Sequence, residues 1–309
     1  MKILVTGASG FVGSKLIPEL LQEGWEVQAL VRDPAKIQQY PWAAQVEIIC
    51  GSLPASNNPC TDVDAVIHLA GLAHVSSSMA ELRAHNLDAS ITLAQQAKAA
   101  GVRRFVFISS SKARYPEHSA YAHFKKEAEL QLLAMHEPDV FDVVCLRPGL
   151  IYGSGMKGNL TSLLRQLELK FLPVFISSSN IIGMLGVRDF CRAITASVTT
   201  GGLEGQVWDI SDGEIYTLDT IVARVRHYLG YKMPAVNVSK NVMKLGAAFS
   251  EFIAPIYKSS FSMSTYKTIF EENYEANSEA NARFNELAHF RAEDNFYTAL
   301  PFLLKSKRL

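Results

Sequence analysis

Tyr121 and Lys125 stand four positions apart, about one helical turn, so on a helix they face the same way. That pairing suits proton transfer. A free phenol, with a pKa of about 10, is a poor acid or base at neutral pH. A nearby ammonium favours the phenolate and draws the phenol towards the working range. Lys125 can also hold a ribose hydroxyl. Tyr-x-x-x-Lys is common by chance on solvated helix faces, so its weight here comes from what precedes it. Ser109-Ser110-Ser111 closes the apolar run Arg104–Ser109. A hydroxyl there can hydrogen-bond the oxygen of a carbonyl or carbinol. The competing reading is a polar loop with a serine capping the next turn.

These groups need a scaffold, and the start of the chain supplies its clearest sign. Residues 3–13 read Ile-Leu-Val-Thr-Gly-Ala-Ser-Gly-Phe-Val-Gly. A short strand runs into Gly7, Gly10 and Gly13, and a helix follows with Leu16, Ile17, Leu20 and Leu21 on one face. A strand, a glycine turn and a helix N-terminus make an anion site suited to a diphosphate. Gly7 supplies the turn, Gly10 close backbone approach and Gly13 close packing, with Ser9, Phe11 and Val12 in the same cradle.

The pattern then alternates. Strands are expected at Lys2–Thr6, Glu26–Val31, Val46–Cys50, Ala65–Leu69, Arg104–Ser109 and Asp142–Arg147, and a late one at Gln206–Ile210. Helices are expected at Phe11–Glu23, Leu82–Ala100, Tyr121–Met135, Leu218–Leu229 and Val242–Phe252. Such alternation argues for an α/β fold, a doubly wound parallel sheet covered on both faces. Ligands in such folds bind beyond the C-terminal strand ends, where Leu69, Ala70 and the serine run fall. The expected division is a dinucleotide-binding domain over 1–155, completed by strands near 183–212. A smaller C-terminal substrate-binding lobe takes 156–182 and 213–309.

Composition excludes other classes. Lys+Arg and Asp+Glu are equal at 30 each among 309 residues. No basic excess points to nucleic acid, and no polybasic run points to a membrane surface. The residues before Gly7 are too few for a signal-peptide core. The most apolar stretch, Leu245–Met263, is interrupted by Glu251, Pro255 and Lys258. The four cysteines lack metal-ligand spacing, so no metal is expected. Cys50, Cys145 and Cys191 lie in apolar surroundings and are expected as buried thiols. A soluble cytoplasmic protein follows, with a homodimer left open.

The second strand ends Val31-Arg32-Asp33. An acid at this place suits the ribose 2′-hydroxyl of NAD, and an arginine suits a 2′-phosphate. Arg32 comes first, which favours NADP, while Asp33 keeps NAD open.

Together these segments resemble the extended short-chain dehydrogenase/reductases, the group of NAD-dependent epimerases and dehydratases acting on nucleotide sugars. The matching pieces are Thr6-Gly-Ala-Ser-Gly-Phe-Val-Gly13, His68-Leu-Ala-Gly71, Asn86, the serine run, Tyr121-x-x-x-Lys125 and Arg147-Pro-Gly149 with Tyr152-Gly153. They cover roughly residues 1–155 in the family's order. The resemblance implies a Rossmann fold and a Ser–Tyr–Lys active site, with Ser110 as its serine and Ser111 as the fallback. It also implies that Asn86 orders water or backbone near the lysine, and that Pro148 and Gly149 lie near the nicotinamide. His74, Ser111, Asn159 and Asn180 are the candidate substrate contacts.

Within the family, the fragments His68–Val75, Ser109–Lys112 and Tyr152–Leu160 look most like bacterial 4-keto-sugar reductases and 4-epimerases. Their substrates are UDP-linked amino sugars. The chain departs from that pattern in three places. Tyr121 follows Ser111 by only ten positions, and Asn180–Gly186 holds no arginine for the diphosphate. Gly51-Ser52-Leu53 stands where an aspartate usually meets the adenine. The expected function is NAD(P)-dependent hydride transfer at a carbonyl or carbinol of a nucleotide sugar, as 4-keto reduction or 4-epimerisation. The alternatives are a reductase of a small non-nucleotide carbonyl and a catalytically weak cofactor-binding regulatory protein.

Overall fold

A computed structural model describes residues 1–53, 58–72, 77–168, 174–176, 178–231, 236–238, 241–242, 244–245, 271, 274 and 279–305. The chain divides into two compact units. The first comprises Met1–Pro148, Val187–Ile210 and Ser278–Glu293, and the second Gly149–Gly186, Ser211–Asn277 and Asp294–Leu309.

Seven parallel strands form the sheet of the first unit: β1 (Lys2–Thr6), β2 (Glu26–Val31), β3 (Glu47–Cys50), β4 (Ala65–His68), β5 (Arg104–Ile108), β6 (Asp142–Pro148) and β7 (Gln206–Ile210). Their order is β7-β6-β5-β4-β1-β2-β3. Chain order reverses between β1 and β4, the place where doubly wound sheets open a ligand crevice. Neighbours within a strand, such as Leu4 and Val5 or Val66 and Ile67, are all buried. Helices therefore cover both faces, which explains the unbroken apolar runs.

The helices of this unit are α1 (Gly13–Gln22), α2 (Ala89–Ala99), α3 (Ala120–Ala134), α4 (Val187–Thr199) and α5 (Glu279–Leu287). Leu93, Ala94 and Ala97 of α2 join Phe124, Ala128 and Leu132 of α3 over Phe105, Phe107 and Val143. Phe284 of α5 packs its ring 6.1 Å from Trp208 of β7.

Two local expectations change. The helix expected over Leu82–Ala100 is broken by a π turn at Ala84–Asp88, where Asn86 turns its side chain back to the Leu82 carbonyl. Cys50, expected buried, is exposed, because β3 is the edge strand and Glu47 and Ile48 are exposed with it. Cys60, Cys145 and Cys191 are buried free thiols.

In the second unit, the helices Asn159–Glu168, Leu218–Tyr228 and Phe296–Lys305 enclose a core of Tyr152, Leu164, Tyr216, Val225 and Phe296. Leu150–Tyr152 pairs in parallel with Met184–Gly186, and Tyr216–Thr217 runs antiparallel to Ile181–Ile182. Most of the expected helix Val242–Phe252 lies outside the described residues. No described helix is long and apolar enough to cross a membrane.

Candidate active site

The turn after β1 is closed by backbone alone. Gly10 donates to the Gly7 carbonyl at 2.9 Å, and Gly7 takes φ +72°, a conformation that favours glycine. A Cβ on Gly13 would lie 2.4 Å from Gly7 O and 2.8 Å from Ala8 Cα, so only glycine lets α1 start this close to the turn. Val12 is the N-cap of α1 and offers no side-chain acceptor. The amides of Ser14, Lys15 and Leu16 are met by the Gly10 and Val12 carbonyls at 2.9–3.0 Å, so it is the dipole of α1 and the open rim before it that suit a diphosphate. Ser9 and Gly10 are exposed, and Phe11 and Val12 half-buried, on this rim. These observations fit a pyridine dinucleotide.

Beside the turn, a chain of hydrogen bonds ties β1 to β4 and on to the π turn. Ser90 Oγ donates to the Asn86 carbonyl at 3.2 Å, so it accepts from His68 Nε2–H at 3.0 Å. Nδ1 is left bare and accepts from Thr6 Oγ1–H at 2.7 Å, while Thr6 Oγ1 accepts from the Ala70 amide at 3.2 Å. Each member is satisfied in one direction only if His68 is neutral. Burial, helped by the charge of Lys125, pushes its imidazole down to about 3, in agreement. Leu69 and Ala70 follow β4, half-buried.

Asn86 spends its side chain on backbone. Oδ1 accepts from the Leu72 amide at 3.1 Å, and Nδ2 donates to the carbonyls of Leu72 at 2.9 Å and Leu82 at 3.0 Å. Gly71 lies between Asn86 and Lys125: a Cβ there would meet Asn86 Oδ1 at 2.9 Å and Lys125 Nζ at 3.4 Å.

The helix α3 carries the phenol and the ammonium. Its N-cap, Ser119, accepts from the Ala122 amide at 3.2 Å and starts the helix just before Tyr121. Tyr121 hydrogen-bonds Ser110. Burial raises the phenol pKa more than this bond lowers it, so the phenol stands above its ordinary value, opposite to the drop expected from Lys125. Lys125 is buried, donates to the Ile108 carbonyl at 2.8 Å and lies 4.6 Å from the centre of the Phe107 ring. Burial brings its pKa down to about 8, against the pull of Glu129. The ammonium is therefore still charged at neutral pH.

Glu129, one turn beyond Lys125, is fully buried. Arg147 Nε donates to its Oε1 at 2.6 Å and Nη2 to its Oε2, a forked pair that joins α3 to β6. Ser109 Oγ donates to the same Oε1 at 2.5 Å.

The structure thus gathers Ser110, Tyr121, Lys125 and Asn86 beyond β4 and β5, and leaves other candidates apart. Arg32 and Asp33 are exposed at the end of β2, where Asp33 Oδ1 accepts from the Ala35 amide at 3.1 Å. Ser111 opens a 3-10 turn and is half-buried, and Pro148 is buried at the end of β6. Asn159 is exposed and Asn180 half-buried in the second unit, and His74 lies outside the described residues. Thr6, His68 and Arg147 entered the sequence reading only as matching pieces and Glu129 only as an acidic neighbour of Lys125; their contacts, and Ser90, were missed. The spacing of Glu129 from Lys125, one turn on the same face, was the available signal.

Residues 3–211 match the model of the NAD dependent epimerase/dehydratase family. The chain is 30% identical over 237 residues to a UDP-glucose 4-epimerase of Vibrio cholerae, covering 68% of this chain and 70% of the relative. It is 32% identical over 236 residues to a ceramide reductase of Caulobacter vibrioides, covering 74% and 71%. A UDP-glucuronic acid 4-epimerase from Bacillus cereus, solved with UDP-glucuronic acid and NAD, superposes with a TM-score of 0.76. That likeness covers 99% of both chains at 18% identity and speaks for the fold alone.

Proposed function

This chain belongs to the NAD-dependent epimerase/dehydratase family, and from that premise we propose that it interconverts a carbonyl and a carbinol on a nucleotide sugar, as a 4-epimerase or 4-keto reductase. The hydrogen bond between Ser110 and Tyr121, with the Lys125 ammonium one helical turn behind, carries this reading.

When bound, a pyridine dinucleotide supplies the hydride exchange. Gly7, Ser9, Gly10, Phe11, Val12 and Gly13 hold its diphosphate, and Leu69, Ala70 and Pro148 line its path. The remaining work belongs to the side chains. Tyr121 Oη gives a proton to the substrate oxygen in reduction and takes it back in oxidation. Ser110 Oγ holds that oxygen. Lys125 favours the phenolate and binds a ribose hydroxyl, its ammonium held in place by the Ile108 carbonyl. Ser111 contacts the sugar.

Arg32 supports NADP over NAD. It is exposed at the end of β2, while Asp33 already caps the following turn. The free cysteines accord with a reducing cytoplasm.

The ceramide reductase relative favours one second reading, reduction of a carbonyl outside the nucleotide sugars. The test is titration of stripped protein with NADPH and NADH, then incubation with UDP-, GDP- and dTDP-sugars. Sugar interconversion without net nucleotide consumption marks an epimerase, and stoichiometric NADPH loss a reductase. Dinucleotide binding with no sugar turned over would favour the second reading. Binding of neither dinucleotide would end both.

A further inference from the structure

Ser110 is the N-cap of the 3-10 turn Ser111–Arg114, and its Oγ accepts from the Lys112 amide at 3.3 Å. The far end of that turn is anchored. Arg114 Nε donates to Asp209 Oδ1 at 3.2 Å and Nη2 to Oδ2, so the guanidinium grips the carboxylate with both arms. Asp209 is buried on β7, two strands away from β5. A buried carboxylate is costly unless paired, and a forked partner fixes direction as well as distance.

The near side of Ser110 is anchored as well, since Ser109 Oγ is held by Glu129 at 2.5 Å and Glu129 by Arg147. Arg147 and Asp209 are register partners on β6 and β7, so they share one face of the sheet. Two ion pairs, rooted side by side, thus bracket a single serine. The Glu129 pair is shared with α3, and the Arg114 pair ties the turn after Ser110 to β7.

We propose that Arg114 and Asp209 are positioning residues for Ser110, holding its hydroxyl against Tyr121 by clamping the turn that follows it. This rests on the Ser–Tyr–Lys reading above. The effect of the clamp passes through the Ser110–Tyr121 hydrogen bond, which lowers the Tyr121 pKa against burial.

The test needs no substrate. Tyrosine carrying a 13C label at Cζ is incorporated, and the Tyr121 signal is assigned by its loss in Tyr121→Phe. Its titration is compared in the wild type, Ser110→Ala, Arg114→Gln and the combination of the last two. Arg114→Gln strands a buried carboxylate and endangers folding, so Arg114→Gln/Asp209→Asn, which leaves no unpaired charge at this position, runs beside it. The expected result is a rise of about half a pH unit or more in Ser110→Ala. The clamp variants should rise equally, with no further rise when either is combined with Ser110→Ala. An unchanged midpoint in the clamp variants would overturn the proposal, and so would shifts that add to that of Ser110→Ala. Failure of both clamp variants to fold would make the pair a folding element and overturn it too. NADPH titration of the same proteins separates this from the broader reading: loss of dinucleotide binding in the wild type would fault that reading and leave the clamp standing.

Discussion

Lys125 donates from Nζ to the carbonyl oxygen of Ile108 at 2.8 Å, tying a buried ammonium to the end of β5 two residues before Ser110. The native fold therefore carries a charge with little water around it. Its pKa falls from 10.5 to about 8 because burial penalises the charged form. Below about pH 8 both folded and unfolded chains hold the proton, and the folded chain bears the full cost. Between about pH 8 and 10.5 the folded chain releases it first, so stability from this group rises with pH. Lys125→Met should be more stable than wild type at pH 7, by up to about 3 kcal/mol, less whatever the orphaned Ile108 carbonyl costs. Urea unfolding at several pH values should show the gap closing as pH rises through that window. The wild-type rate should fall above about pH 8 as the ammonium is lost.

Tyr121→Phe removes the proton donor and leaves the ring. Turnover should drop about 10²–10⁴-fold, the usual worth of a positioned general acid. NADPH affinity, followed by nucleotide fluorescence, should stay the same. An unaltered rate would remove Tyr121 from the mechanism.

Arg32→Ala tests the choice of dinucleotide. An arginine–phosphate contact is a charge-assisted hydrogen bond, and losing one costs about 1.5–3 kcal/mol. NADPH should bind about tenfold weaker or more, and NADH no worse. Equal losses for both would refute the assignment to the 2′-phosphate.

Gly13→Ala places a methyl 2.4 Å from Gly7 O and 2.8 Å from Ala8 Cα. Both neighbours are backbone, so the turn must open. Dinucleotide binding should be lost and the unfolding free energy lowered by about 2 kcal/mol or more. Gly24→Ala is a useful contrast. It meets nothing within 4 Å but has φ +74°, so it should cost stability modestly and leave binding alone.

Much of this site was legible because its signals are local. The glycine turn is written in consecutive residues, since it closes backbone to backbone and only the absence of Cβ atoms permits it. Tyr121 and Lys125 fall together because a helix repeats about every four residues. The alternation of apolar runs yielded the parallel sheet for the same reason: strands covered on both faces have no polar side to show. Cys50 misled, because an apolar neighbourhood in sequence does not tell an edge strand from a central one.

What stayed hidden depends on contacts between residues far apart in the chain. Thr6 meets His68 across 62 positions, and Arg114 meets Asp209 across 95. No local pattern brings Ser278–Glu293 back to the first unit, where α5 packs on β7. The sequence by itself determined the fold class, the glycine turn and the placing of Tyr121 and Lys125 on one helix, each set by backbone geometry over a few residues. Only the tertiary structure decided the charge states of His68 and Lys125 and the partners of Ser109, Ser110, Glu129 and Arg147. Those depend on how deeply each group is buried and on which distant group faces it, and both follow from the order of strands in the sheet.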